Sequence, residues 1–143
     1  MAPRRTPRRT HCPIAFSLDL FGDRWTLLIV RDLLLKRRST WVEFLASGEG
    51  IASNILADRL ARLSGTGVLV AIRDPEDRRG KIYRLTEKGL DLAPVLVEMI
   101  LWGAKHDPRT AADLAFVRRA RSDREALLRE IRAAAEGQTP RRR

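Results

Sequence analysis

"IRDPEDRRGKIYRLT", residues 72–86, alternates apolar and polar side chains on both sides of a compact charged centre. Read with the preceding "VLVA", it predicts two strands, 68–73 and 81–86, joined by "DPEDRRG". This is a β-hairpin whose loop is longer than the tightest turns. The two-residue period puts Val68, Val70 and Ile72 on one face, and Ile82 and Arg84 alternate with Tyr83 and Leu85. Pro75 and Gly80 are enough to shape the loop. Arg78, Arg79 and Lys81 are surplus to a turn, and surplus cations at a tip point to an anionic partner.

The segments before the hairpin supply a context for that partner. Ser53 is placed to cap a helix over 54–64, with Leu56, Leu60 and Leu63 as its buried stripe and Asn54, Asp58, Arg59 and Arg62 turned away. "SGTG" stops it. In "TWVEF", Thr40 and Glu43 have the spacing of a capping box, which starts a short helix that ends near "SGEG". Asp23 can cap a helix over about 24–36. Trp25, Leu28, Ile29, Leu33 and Leu34 make it apolar almost all round, as befits a central, buried helix. Lys36, Arg37 and Arg38 follow its C-terminus, where the helix dipole favours cations. A first helix runs from Pro13, well suited to a first helical position, to Phe21, with Cys12 or its neighbour as cap. Ile14, Leu18 and Phe21 form its apolar face.

After the hairpin, Thr86 is expected to cap a long helix to about residue 105, kinked or opened at Pro94. Asp107-Pro108 reads as the cap and first residue of a further helical region to about 136. Ser122 and Glu125 form a second potential capping box that would divide it. A short helix turning into a second helix with a polar outer face is a helix-turn-helix, and a basic hairpin directly after it is a wing. The fold class is mainly α with a small β-hairpin wing. In such folds the second helix enters the major groove of double-stranded DNA while the wing reaches the flanking backbone.

Charge agrees with this reading. Lys and Arg outnumber Asp and Glu by 28 to 18, for a net charge of +10. Seven of these charges lie at the ends, on Arg4, Arg5, Arg8, Arg9 and Arg141, Arg142, Arg143, leaving a mildly basic body. Such tails suit a polyanion, or serve only solubility. One cysteine rules out an intrachain disulfide framework and fits a reducing compartment. No apolar run is long enough to span a membrane and the N-terminus lacks a signal-peptide core, so a cytoplasmic location is expected. His11 and His106 are isolated, so no metal site is expected. No phosphate-cradling glycine loop or catalytic triad pattern is present, so neither an enzyme nor a cofactor is expected.

The blocks "CPIAFSLDLFGDRWTLLIVRDLL", "TWVEF", "GIASNILADRLARL", "YRLTEKG" and "LAPVLVEMILWG", in this order over roughly residues 11–106, resemble the HxlR-type winged-helix transcription regulators, relatives of the MarR regulators. The resemblance implies a homodimer on pseudo-palindromic operators, with dimer contacts from the first helix and the C-terminal helices. It also implies regulation, often repression, of a nearby gene. The resulting domain plan is a flexible basic arm (1–11), a dimeric winged helix-turn-helix domain with dimerisation helices (12–106), an additional C-terminal helical region (107–136) and a basic tail (137–143). Residues 108–143 extend past the usual family pattern, and many relatives carry Lys where this chain has Asn54.

Candidate DNA contacts follow. Asn54 can pair with adenine; Asp58 can accept from cytosine N4, or instead orient Arg59 or Arg62. Ser53 and Thr40, at helix starts, can meet phosphates. Arg59 and Arg62 join them from the recognition helix, and Arg73, Arg78, Arg79, Lys81 and Arg84 from the wing. Cys12, at a helix N-terminus beside His11 and near Arg8 and Arg9, has surroundings that favour a reactive thiolate. Family members that sense oxidants or electrophiles are similar in using a cysteine here; the alternative is a small buried apolar side chain. Trp25, Trp41, Phe44 and Trp102 are core or interface residues, or line a pocket for a small aromatic effector. The rival to DNA regulation is a winged-helix protein–protein interaction module whose cations only aid solubility.

Overall fold

The structure is a computed structural model and describes residues 10–137; most of the basic arm (1–9) and of the basic tail (138–143) lies outside the described residues. Four helices, α1 (Pro13–Phe21), α2 (Thr26–Leu35), α3 (Trp41–Leu45) and α4 (Ser53–Gly65), lead into the strands β1 (Leu69–Arg73) and β2 (Lys81–Leu85). Then follow α5 (Glu87–Leu90), α6 (Ala93–His106), α7 (Leu114–Ser122) and α8 (Arg124–Glu136). β1 and β2 are antiparallel, with Leu69 opposite Leu85, Ile72 opposite Ile82 and Arg73 opposite Lys81. The segment before α3 extends this sheet: Thr40 bridges to Ile82, and the Tyr83 N–H donates to the Ser39 carbonyl at 2.8 Å. The architecture is a winged helix-turn-helix, mainly α with one hairpin wing. No helix among the described residues is long and apolar enough to cross a membrane.

Local signals explain most starts and stops. The capping box of α3 forms in both directions: the Glu43 N–H donates to the Thr40 hydroxyl oxygen at 3.4 Å, and the Glu43 carboxylate accepts from the Thr40 N–H at 3.1 Å. The same carboxylate accepts from the Ser39 N–H at 2.7 Å, so Glu43 also holds the edge that meets the wing. Thr86 caps α5 by accepting from the Gly89 N–H and donates to the Val68 carbonyl at 3.1 Å. A Cβ at Gly89 would lie 2.2 Å from that carbonyl oxygen, so the close approach of α5 to the base of the wing requires glycine.

Several expectations are corrected. The long helix after Thr86 is two helices. Pro94 has no N–H for the Leu90 carbonyl and its ring crowds that carbonyl, so the chain breaks at Asp91–Leu92 and Pro94 enters the first turn of α6. Asp107-Pro108 starts no helix: Asp107 accepts from the Arg109 N–H at 2.9 Å in a turn, and α7 begins only after Asp113, whose side chain caps it. The Ser122–Glu125 box does not form; Ser122 ends α7, and Asp123 (φ −147°, ψ 60°) serves as the corner before α8. Ser53 is the first residue of α4 rather than its cap; extended Ala52 holds the cap position and the buried Ile51 sets the entry, leaving Ser53 exposed. Asp23 does cap α2, whose first residue is Thr26. Val68 is fully buried while Val70 and Ile72 are exposed, because the hairpin leaves the body after Leu69.

α2 is central, as its composition demands. Ile29, Val30, Leu33 and Leu34 are buried in a core shared with Phe44, Leu56, Leu60, Leu63 and Leu96. Leu127 and Ile131 of α8 join the same core, with α8 packed against α2, β2 and α6. This is why α2 is apolar almost all round: the C-terminal extension covers the side that the helix-turn-helix leaves open.

Candidate nucleic-acid interface

α4 buries Leu56, Leu60 and Leu63, and this fixes what it shows to solvent: Ser53, Asn54, Ala57, Asp58, Ala61 and Ser64. The outward face is narrow, small and weakly polar. Its two arginines lie at the flanks and are turned back into the body. The Arg59 Nε donates to Asp23 Oδ2 at 2.8 Å and a terminal nitrogen donates to Asp58. An Arg62 terminal nitrogen donates to the Asp19 carbonyl at 3.1 Å. Asp58 thus pairs with Arg59, and both arginines tie α4 to the α1–α2 corner.

Asp23 is the centre of that corner. Its carboxylate accepts from the Trp25 and Thr26 N–H groups at 2.9 and 3.1 Å, from the Thr26 hydroxyl at 2.5 Å and from Arg59. Burial works against its charge, but the bonds from Thr26, Arg59 and the two backbone N–H groups outweigh it and hold the carboxyl at about 2, below the ordinary 3.8. The turn between α3 and α4 is fixed in a related way. Gly48 and Gly50 take positive φ (89° and 76°), and Glu49 between them accepts from Arg31 of α2 at 2.7 Å. Sequence reading found the cap at Asp23 but not its link to Arg59 across 36 residues, and it missed Arg31–Glu49. It also missed that Asp32, 2% exposed, pairs with Arg31 at 2.8 Å and Arg38 at 3.2 Å. Arg38 is therefore occupied in holding the end of α2.

The wing carries a row of free cations. Asp74 and Asp77 spend their carboxylates on the loop itself, accepting from the Glu76 and Arg79 N–H groups at 2.9 and 3.0 Å, while the Asp74 N–H closes the loop on the Gly80 carbonyl at 3.0 Å. The side chains of Arg73, Arg78, Arg79 and Lys81 are exposed and have no partner among the described residues. Arg84 is exposed on β2, opposite Val70. Thr40, half-buried, lies where the wing meets α3.

A second, apolar surface lies on other elements. No residue of α1 is buried, and Ile14 and Leu18 are 68% and 59% exposed. On α6, Val95, Met99, Trp102 and His106 follow a four-three-four spacing along the outside; Trp102 is 70% exposed, with its ring 4.8 Å from that of His106. Phe44 is core, and Trp25 and Trp41 are half-buried against it. Cys12 is exposed at the N-cap position of α1. A cavity lined by Trp25, Leu28, Phe44 and Ile51 measures about 10 Å³, room for one water molecule and not for an aromatic effector.

A helix-turn-helix with a solvent-facing second helix and a cationic wing beside it defines a winged-helix protein of the DNA-binding type. Residues 20–111 match the HxlR-like helix-turn-helix family, and the chain belongs to that family. It is 37% identical over 93 residues to an HTH-type transcriptional regulator of Mycobacterium bovis, a match covering 65% of this chain and 58% of that protein. The chain thus spans less than two thirds of that relative's length. Among solved structures it is similar to PA1607, assigned as a transcription factor, with 39% identity, 73% of each chain covered and a TM-score of 0.66. It is also similar to the reduced form of the transcriptional regulator YodB from B. subtilis, with 30% identity, 71% of this chain and 99% of that one covered, and a TM-score of 0.55.

Proposed function

We propose that the protein is a sequence-specific transcriptional regulator, a repressor, that binds a pseudo-palindromic operator as a homodimer in the cytoplasm. The observation that carries this reading is the division of labour among its arginines. Those flanking the recognition helix are tied back to Asp23 and to the Asp19 carbonyl, whereas Arg73, Arg78, Arg79 and Lys81 stand unpaired on the wing beside it. Phosphates are the partner such a row fits. On α4, Asn54 reads adenine, and Ala57 and Ala61 meet thymine methyl groups, a readout open to a face of small residues. Ser53 and Thr40 donate to phosphate at helix starts. Asp58 holds Arg59, Arg59 and Arg62 fix the angle of α4, and the remaining N–H groups of Arg62 reach the groove edge. Arg84 supplements the wing. The exposed apolar ridge of α6, with Ile14 and Leu18 of α1, is the surface that a second copy covers.

Cys12 is the group through which an oxidant or electrophile acts on the regulator. Its exposure at a helix start supports this, as does the likeness to a regulator described in a reduced form. If Cys12→Ser leaves release of DNA by diamide unchanged, Cys12 is not the sensor. A small aromatic effector, too large for the internal cavity, would have to lie between the two copies.

One feature favours a second reading, a protein-binding module: the outward face of α4 carries no free cation. Replacing Arg78 and Arg79 together by Ala separates the two. A homodimeric DNA binder loses affinity, and the slope of log K against log salt falls in magnitude by about 3.6, ~0.9 for each of the phosphates that the two copies no longer neutralise. An unchanged slope favours the protein-binding module.

A further inference from the structure

We propose that α7 and α8 form a splint across the joint between the DNA-binding head and α6, and that this splint determines which half-site spacing the protein accepts. The inference rests on the regulator reading above. The family match ends at residue 111, before both helices begin. They are nevertheless built into the molecule: Val117, Ala120, Leu127 and Ile131 are buried, and α8 packs against α2 and β2 of the head as well as against α6.

The joint they cross is weak by construction. α5 ends at Leu90 and α6 begins at Ala93, and Pro94 removes the donor that would continue the helical ladder to Leu90. At the gap the backbone bonds outside the regular helices are Asp91 N–H to Glu87 O at 3.0 Å, Leu92 N–H to Gly89 O at 3.1 Å and Leu96 N–H to Leu92 O at 3.1 Å. α8 grips both sides. Its Arg132 pairs with Glu87 and, at 3.1 Å, with Asp91, both on the head side. Its Arg124 pairs with Glu98 of α6. The two arginines are eight residues apart on one line of α8, so the splint spans about 12 Å. Leu127 and Ile131 fill the adjacent line between them. The apolar line supplies the adhesion, because exposed ion pairs contribute little alone. The arginines supply direction: each fixes where α8 sits relative to one side of the break.

A head held at one angle to the dimer helix gives a dimer with one separation between recognition helices. Inserting one base pair moves half-sites apart by about 3.4 Å and rotates one by about 35° about the duplex. A joint free to bend absorbs that change; a splinted joint does not.

The test uses the full chain and the double variant Arg124→Ala/Arg132→Ala, which leaves every proposed DNA contact and the apolar line in place. The probe is the duplex that the wild-type protein enriches from a randomised pool, together with versions lengthened and shortened by one base pair between half-sites. Wild-type affinity should fall at least ~30-fold on the altered spacings, comparable to a damaged site, while the variant binds the parent duplex within ~3-fold and loses less than ~5-fold. Arg132→Lys, which keeps the charge but not the fork, should lie between them. Hydrogen exchange provides a readout independent of DNA: the amides of residues 91–96 other than Pro94 should exchange faster in the variant, with those of α4 unchanged. If the wild type enriches a two-part motif and the variant shows the same spacing penalty, the splint is overturned and the regulator reading stands. If the wild type enriches nothing, the regulator reading fails and the spacing role with it. Unchanged exchange at 91–96 overturns the splint whatever the DNA result.

Discussion

Replacing Asp23 tests how the recognition helix is anchored. The carboxylate caps α2, satisfies the hydroxyl of Thr26, which is 2% exposed, and holds Arg59 of α4. Asp23→Ala removes a cap worth ~1 kcal/mol. It also strands a buried hydroxyl at a cost of about 1–3 kcal/mol. With the bond to Arg59 also gone, and allowing for non-additivity among neighbours, destabilisation by ~3 kcal/mol is expected. Asp23→Asn removes the charge and keeps one oxygen for the backbone N–H groups; the other becomes an NH2 that the Thr26 hydroxyl oxygen can accept from, so the electrostatic part dominates the difference. A carboxyl held at about 2 rather than 3.8 corresponds to ~2.4 kcal/mol, which solvent access to the Arg59 pair reduces to about 1–2 kcal/mol. The folded-state value is depressed, so this stability is present above 3.8 and is lost as pH falls through about 2. Urea unfolding followed by circular dichroism at constant ionic strength reads it directly. Wild type should exceed Asp23→Asn by about 1–2 kcal/mol at neutral pH, and the gap should close as pH falls from about 4 toward 2. A gap that is absent at neutral pH, or that stays constant with pH, refutes the anchoring argument.

Three other outcomes follow, the first from the structure and the other two from the proposed function. Gly89→Ala should destabilise the fold by ~3 kcal/mol or more, because its Cβ meets the Val68 carbonyl oxygen at 2.2 Å; an unchanged melting temperature contradicts this. Met99→Glu with Trp102→Glu places charge on the exposed ridge of α6 and should weaken self-association at least ~100-fold in sedimentation without lowering monomer stability. Asn54→Ala should cost about 1–3 kcal/mol at an operator adenine and relax preference at that position alone, while uniform weakening across sequences would assign Asn54 to the backbone.

The architecture was legible where signals are local. The capping box at Thr40–Glu43, the alternation through Ile82–Leu85 and the leucine stripe of α4 each specify their element from a few adjacent residues. Pro94 announced a disturbance, but its scale was set by Leu90 and Leu92, whose burial on either side of the break favours two helices over one bent helix. The Ser122–Glu125 pattern marked where the C-terminal region divides into two helices but not how: Asp123 makes the corner, and Val117, Ala120 and Leu127 are buried on either side of it. The candidate site was legible as a list of side chains and not as a set of partnerships. Arg59 and Arg62 look like Arg78 and Arg79 in one dimension. Asp23 and the Asp19 carbonyl, which separate them, are 36 and 43 residues away.

The most direct measurement is fluorescence anisotropy at near-physiological salt. The duplex most enriched by the full chain from a randomised pool is titrated beside a scrambled duplex of equal length and composition. The account predicts an inverted repeat with half-sites about one helical turn apart, bound at least ~10³-fold more tightly than the scramble. Equal affinity for the two duplexes would contradict sequence-specific regulation and leave only charge-driven attraction to nucleic acid.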